Sequence, residues 1–158
     1  RHVLAIAAAG LLAAAPVLAS EAPKPLDAGD PAPAFSLPGS DGKTHSLAEH
    51  LGKRVVVIAW FPKAFKAVTA ECKSLRESGN EIRAFDVAYF AASVDPVQLL
   101  TDFAKSLDAD YPILADADGA LARAYGVVTP DRANPFRWTF YVGKDGKLLH
   151  VDRGVKAG

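Results

Sequence analysis

The chain has 158 residues, half of them apolar and 23% charged, which fits one ordinary globular domain with a buried core. Its 18 Lys and Arg residues balance 18 Asp and Glu residues, so the formal net charge is zero. Without a basic excess to neutralise phosphates, we expect no nucleic-acid partner and no attachment to an anionic membrane surface.

Residues 1–19 have the pattern of a secretory signal peptide. The basic start Arg1-His2 precedes an apolar run over residues 3–15, and Val17-Leu18-Ala19 before Ser20 supplies the short side chains that a signal peptidase reads. The run is shorter than the roughly 20 residues needed to cross a bilayer core, which disfavours a retained anchor. We therefore expect an exported, periplasmic protein with no stable membrane insertion.

The mature chain is predicted to begin with an extended arm over residues 20–33. This segment is rich in Pro, Ala and acidic residues and has no periodic apolar face, so we expect it to lie outside the core. Residues 34–158 then form the folded domain. The sequence stops directly after a strand-like run, and we expect this domain to be truncated at its C-terminus.

The first part of the domain is predicted to hold a hairpin and the centre of a sheet. A strand over 34–37 is followed by an Asp41-Gly42 turn, which is a strong hairpin signal. Ser46 is expected to cap a short helix over 47–51, with Glu49 in the capping-box position. The continuous β-branched and aromatic run over 54–61 predicts a strand buried on both faces.

Helices and strands then alternate along the chain. A helical pattern runs from about Thr69 to Phe85, and an apolar strand follows over 87–93. Asp95 is expected to be the N-cap of a helix reaching Leu107, with Pro96 in the first helical position.

The last part of the domain is predicted to close the sheet with an antiparallel hairpin. The predicted elements are a strand over 111–115, a helix over 118–125 ended by Gly126, and strands over 136–142 and 147–151. The whole pattern predicts an α/β fold in which helices flank a mixed central β-sheet.

Several short motifs occur in a fixed order along the chain: Gly29 to Phe35, Asp41 to Lys43, Trp60 to Phe65, Ser93 to Asp95, Tyr111 to Asp116, Tyr125 to Val127 and Arg137 to Phe140. Together they resemble a peroxiredoxin of the alkyl hydroperoxide reductase/thiol-specific antioxidant superfamily, near its bacterioferritin-comigratory or Q-type branch. The resemblance implies a thioredoxin-like fold and reduction of peroxides by a cysteine. It also implies that Pro62 is the active-site loop proline and Arg137 the active-site arginine.

The family's nucleophile is a cysteine seven residues after the proline, with a threonine at plus four. Here Lys66 occupies plus four and Thr69 plus seven. One residue is missing, and aligning the tail Thr69-Ala70-Glu71-Cys72 places Cys72 on the family's second, resolving cysteine. The nucleophile position then falls on Val68 or in the gap. Thr69 is a candidate by position only, because a hydroxyl is a far weaker acid than a thiol and forms no sulfenic acid.

Cys72 is the only cysteine, which excludes an internal disulfide, a CxxC redox pair and a cysteine-rich zinc site. His45, His50 and His150 lie far apart in sequence, so neither a metal nor another cofactor is predicted. The candidate site residues are Cys72, Arg137, Pro62 and Thr69.

Each candidate has a structural interpretation beside the functional one. Cys72 is either a reactive thiolate or an inert, buried apolar side chain, and Arg137 either faces the site or pairs with an acid such as Glu71. We expect a thiol peroxidase that reduces hydrogen peroxide or organic hydroperoxides. Its reductant is an external thiol, thioredoxin-like or of low molecular weight, because the chain has no partner cysteine. The alternative is a catalytically silent thioredoxin-fold binding module.

Overall fold

A computed structural model of the chain describes residues 24–64 and 85–154. The predicted signal peptide, most of the predicted helix from Thr69, and the candidates Cys72 and Thr69 lie outside these residues. Within the described ranges, no helix combines the length and apolar character that a membrane span requires.

The centre of the fold is a five-stranded mixed sheet flanked by helices, as the sequence predicts. Its strands stand in the order β5-β4-β3-β6-β7. Strand β3 pairs parallel with β4 and antiparallel with β6, β4 pairs parallel with β5, and β6 pairs antiparallel with β7. The strands are β3 (Val55–Trp60), β4 (Val87–Ser93), β5 (Ile113–Ala115), β6 (Thr139–Val142) and β7 (Leu148–Asp152).

A two-stranded antiparallel hairpin and two helices complete the described elements. They are β1 (Ser36–Pro38), β2 (Thr44–Ser46), α1 (Val97–Leu107) and α2 (Ala120–Ala124). The hairpin confirms the turn predicted at Asp41-Gly42, where Gly42 adopts a φ of 79° that only glycine accepts readily.

The core lies on both faces of the sheet. One cluster gathers side chains such as Ile58, Tyr125 and Phe140, and the other contains Phe61 and Leu100. Successive side chains of a strand point to opposite faces, so a strand covered on both sides needs apolar residues at every position. This explains the continuous apolar sequence of β3.

Irregular segments cover both edges of the sheet. At β5, the Ser40 backbone N–H donates to the Ile113 carbonyl (2.9 Å), and the Ile113 N–H donates to the Ser40 hydroxyl (3.0 Å). At β7, Gly29 N–H donates to the Leu148 carbonyl and Leu148 N–H to the Asp30 carbonyl, each at 2.8 Å. Paired edges leave fewer free backbone groups for association with other strands.

The N-terminal arm differs from the prediction that it lies outside the core. Leu26 and Ala32 pack against the main core cluster, and the Tyr125 hydroxyl donates to the Pro33 carbonyl at 3.1 Å. The apolar side chains that make these contacts follow no helical or strand period. Periodicity therefore could not reveal them.

The helix predicted over 47–51 is wrong, because these residues form successive turns. Only part of the predicted capping box remains, since the Ser46 N–H meets a Glu49 carboxylate oxygen at 3.5 Å. Gly52, with a φ of 75°, reverses the chain before a helix can continue.

Three further elements are shorter than predicted. Helix α2 begins at Ala120 because Gly119 has a left-handed φ of 68°. Strand β5 begins at Ile113, since Pro112 has no N–H to give to a ladder. Strand β6 begins only at Thr139, because the Phe136 N–H donates to the Val127 carbonyl and the Trp138 N–H to the Phe136 carbonyl.

His50 connects the stability of the fold to pH. Its ring lies 5.6 Å from that of Phe90, and its Nε2 atom has no hydrogen-bond partner among the described residues. Burial lowers the pKa of His50 and the charge of Arg54 lowers it further, while Glu49 opposes them. The unfolded chain then binds the proton more tightly, so this stability is present above the unfolded pKa of about 6.5 and is lost as the pH falls through the folded pKa.

Acidification from about pH 7.5 to about pH 5.5 should therefore lower the thermal unfolding midpoint, with a pH dependence of less than one proton because His50 is half-buried. His50→Gln should weaken this dependence, as measured by circular dichroism melts across the range. His150→Gln, which replaces an exposed imidazole on β7, is the matched control. An unchanged pH dependence in His50→Gln would contradict the assignment.

Candidate active site

The candidate site lies at the edge of the sheet where the parallel strands end. Strands β3, β4 and β5 end at Trp60, Ser93 and Ala115, and the loops that follow share this edge. Ligand sites in open α/β sheets form beyond the carboxyl ends of such strands. Pro62, a predicted site residue, stands two positions after β3 and is half-buried.

Asp95 joins two loops at this edge. Its side chain is 7% exposed, and one carboxylate oxygen accepts hydrogen bonds from the Ala64 backbone N–H (2.8 Å) and the Ser93 hydroxyl (3.1 Å). The Ser93 oxygen in turn accepts the Asp95 N–H at 3.3 Å. The described residues that follow Pro62 are thus tied to the end of β4.

The predicted role of Asp95 as a helix cap is wrong. Helix α1 has Pro96 as its N-cap and shows no side-chain cap bond. The carboxylate of Asp95 bonds to the loop after Pro62 instead. The helix begins at Val97, so Pro96 is its N-cap and not its first helical residue as predicted.

The pairing of β3 with β6 sets the position of Arg137. Ala59 stands opposite Thr139, and the Trp60 N–H donates to the Trp138 carbonyl at 2.9 Å. Arg137 directly precedes Trp138, and Pro62 follows Trp60 by two residues, so both lie just beyond this last pairing. The structure therefore brings Arg137 and Pro62 to one edge of the sheet, while Cys72 and Thr69 lie outside the described residues and their site roles stay predictions.

The next loop along the edge is organised by a buried carboxyl group. Asp116 is 1% exposed, and its oxygens accept the backbone N–H groups of Leu121 (3.2 Å) and Ala122 (2.6 Å). Burial raises the pKa of Asp116, and the neighbouring Asp118 raises it further. The bonds to Leu121 and Ala122 hold α2 against the end of β5.

A cavity of about 470 Å³ opens between α2 and the loop after β4. Its walls are mostly apolar, with Arg123 and Asp118 as the charged groups. Asp118 and Arg123 are also linked, since a guanidinium N–H of Arg123 donates to the Asp118 carbonyl at 3.1 Å. The lining includes Val94, Asp118, Arg123, Val128, Pro130 and Ala133.

Sequence reasoning missed the roles of Ser93, Asp95 and Asp116. All three stand within or just after correctly predicted strands. Their burial distinguishes them from polar residues at the surface. A useful signal was available in their position, because a polar residue directly after a buried parallel strand lies at the edge where loops meet. Across residues 24–64 and 85–154, no cluster of three or more His, Cys, Asp or Glu side chains could hold a metal ion.

The chain is similar to known proteins of one family. The model of the AhpC/TSA family matches residues 28–151. Peroxiredoxin Bcp of Escherichia coli (strain K12) is 33% identical over 136 residues, covering 80% of this chain and 85% of that protein.

Two solved structures have the same fold. Peroxidoxin BcpB from Mycobacterium tuberculosis is 29% identical with a TM-score of 0.75, covering 84% of this chain and 88% of that one. A bacterioferritin comigratory protein of Xanthomonas campestris is 25% identical with a TM-score of 0.71, covering 78% and 82% of the two chains. These similarities confirm the predicted thioredoxin-like fold.

Asp95→Ala should lower the free energy of unfolding by about 1–3 kcal/mol, because it leaves the Ala64 N–H and the Ser93 hydroxyl without their acceptor. Urea titration measures the loss. Asp102→Ala, which removes an exposed carboxylate that accepts a hydrogen bond from Gln98 on the same helix, is the control and should change little. Equal effects of the two substitutions would contradict a structural role for Asp95.

Proposed function

We propose that this chain, which belongs to the AhpC/TSA family of peroxiredoxins, is a thiol peroxidase that reduces hydrogen peroxide or organic hydroperoxides through Cys72. The observation that carries the proposal is the placement of Pro62 and Arg137 at one edge of the sheet, just beyond the bond between Trp60 and Trp138, in a sequence whose one thiol follows Pro62 by ten residues. Alkyl peroxide reduction is an activity of the similar bacterioferritin comigratory protein from Xanthomonas campestris.

The first half of the cycle oxidises the thiol. The Cys72 thiolate attacks one peroxide oxygen, an S–O bond forms as the O–O bond breaks, and the other oxygen leaves as water or an alcohol after taking up a proton. Cys72 becomes a sulfenic acid. Arg137 serves this step by placing a permanent positive charge near the oxygen on which negative charge develops.

The second half needs a reductant from outside the chain. A first external thiol attacks the sulfenic sulfur and releases water, forming a mixed disulfide with Cys72. A second external thiol attacks this disulfide, which frees the Cys72 thiolate and yields an oxidised external disulfide. Residues 1–158 contain one cysteine and thus offer no resolving thiol for Cys72, which favours this route.

The chain departs from the family pattern because Thr69 rather than a cysteine stands seven residues after Pro62, and its one thiol, Cys72, aligns with the family's resolving cysteine ten residues after Pro62. Reactivity therefore depends on whether the environment of Cys72 stabilises its thiolate, since the thiolate rather than the thiol attacks. The pKa of free cysteine is about 8.5, and positive charge or a helix N-terminus lowers it. Arg137 and Lys63 are two described cations at this edge of the sheet.

Stopped-flow oxidation of the mature chain by hydrogen peroxide, with a sulfenic-acid trap, tests the proposal. We expect trapping at Cys72 with a second-order rate constant at least about tenfold above that of free cysteine, as a lowered thiol pKa and one stabilising charge would give. Cys72→Ser should abolish trapping, and Arg137→Ala should slow it by about tenfold or more.

Arg54→Ala is the matched control, because Arg54 is an exposed arginine at the opposite end of β3, 3.7 Å from Asp86. It should react at the wild-type rate. Oxidation no faster than that of free cysteine, and indifferent to Arg137, would contradict the peroxidase and favour a silent thioredoxin-fold binding module.

We also propose that the chain is exported and works in the periplasm. The support is the pattern of residues 1–19, with its basic start, apolar run and small residues before Ser20.

Expression of residues 1–158 behind an initiator methionine in a bacterial host should yield a periplasmic product whose N-terminus is Ser20, as determined by mass spectrometry. Ala19→Phe should block processing, because the peptidase needs a small side chain at that position. An uncleaved wild-type chain recovered in the cytoplasm would contradict export.

A further inference from the structure

Two arginines and two aromatic rings form a continuous stack beside Arg137. The rings of Phe136 and Trp138 are stacked with an interplanar angle of 12° and centroids 4.9 Å apart. The guanidinium carbon of Arg132 lies 4.4 Å from the Phe136 centroid, and that of Arg153 lies 5.1 Å from the Trp138 centroid. Both distances fall within the range of cation–π attraction, which extends to about 6 Å.

This stack stands where the backbone ladder of the sheet stops. Residues 136–138 precede β6, and the described backbone bonds that hold them are Trp60 N–H to the Trp138 carbonyl, Phe136 N–H to the Val127 carbonyl and a local bond from Trp138 to Phe136. Side-chain stacking therefore adds the support that strand pairing gives elsewhere.

The stack also restrains the backbone on both sides of Arg137. Phe136 and Trp138 share one face, and Trp138 packs against the main core cluster. The Trp138 N–H donates to the Phe136 carbonyl at 3.0 Å, so Arg137 is the middle residue of a three-residue turn whose two flanking rings are stacked on each other. The Arg137 side chain is half-buried, and its backbone direction depends on the geometry of this turn.

Arg153 connects this segment to the N-terminal arm. Its guanidinium covers the Trp138 ring, donates a hydrogen bond to the Leu26 carbonyl and lies 3.9 Å from the Asp27 carboxylate. One side chain from the end of β7 therefore clamps the arm and the segment that bears Arg137.

We propose that Arg153 is a positioning residue, which fixes the direction of Arg137 through its contact with the Trp138 ring. The inference rests on the proposed function, because Arg137 matters for peroxide reduction only there. Arg153 acts through Trp138 and does not touch the peroxide. Its planar guanidinium suits the role, since it lies flat against an aromatic face while its N–H groups bond to the arm.

The experiment measures the order of the Arg137 side chain and the reactivity of Cys72 in the same proteins. Heteronuclear {¹H}–¹⁵N NOE values of arginine Nε–Hε groups report side-chain order without any activity. We expect Arg153→Ala to lower the value for Arg137 and to slow peroxide oxidation of Cys72 by about two- to fivefold, the size of one exposed cation–π contact.

Companion variants separate positioning from stability. Arg153→Lys keeps the cation and should recover part of both signals, whereas Arg153→Gln keeps a donor for the Leu26 carbonyl and should behave like Arg153→Ala. Arg54→Ala should leave both signals at wild-type values. The unfolding midpoint of Arg153→Gln distinguishes a local effect on Arg137 from a loss of global stability.

Unchanged Arg137 order and unchanged oxidation rates in both Arg153→Ala and Arg153→Gln would overturn the inference. The inference is supported if Arg137 loses order in the Arg153 variants, keeps its order in Arg54→Ala, and the unfolding midpoint of Arg153→Gln stays at the wild-type value. If Arg137 order falls while wild-type Cys72 reacts no faster than free cysteine, the positioning stands and the peroxidase proposal fails.

Discussion

The constraint on which the site depends is the double pairing of β3, parallel to β4 on one side and antiparallel to β6 on the other. A parallel neighbour ends at the same edge at which β3 ends, whereas an antiparallel neighbour begins there. The loop after Pro62, the buried Asp95 and the residue before Trp138 therefore meet at one edge, although they are far apart in sequence. A change in the pairing with β6 would separate Arg137 from Pro62, and a change in the pairing with β4 would separate Asp95 from Ala64.

Much of the fold could be predicted, because strand burial leaves a strong signal. The apolar run over 87–93 coincides with β4, and the run over 54–61 extends one residue beyond β3 at each end. Both strands are covered on two faces, and a strand with one face in water would instead alternate apolar and polar residues. The hairpin turns at Asp41-Gly42 and over 143–146 could also be predicted, because the backbone preferences of their glycines and aspartates are local.

The failures have a different physical origin. Asp95 before Pro96 has the local chemistry of a helix cap, yet its carboxylate bonds to Ala64, which is 31 positions away. Residues 136–138 have strand-like composition but leave the ladder for contacts with Val127 and with two arginines. In each case a tertiary contact competes with a local preference and wins. Such contacts cannot be read from spacing, and they concentrate at this edge because loops from several elements converge there.

This edge of the sheet combines buried strands with residues that are only half-buried. Strands β3 and β4 are buried almost throughout, while Pro62, Lys63, Ala64 and Arg137 are only half-buried. An enzyme with an internal resolving cysteine can complete its disulfide within its own chain, but a chain with one cysteine must return two electrons to the sulfur from external thiols. Under the proposed cycle, the edge must therefore admit a peroxide and then a larger reductant. The buried Asp95 and the stacking of Arg153 on Trp138 hold the described loops in place while Pro62, Lys63 and Ala64 keep part of their surface in solvent.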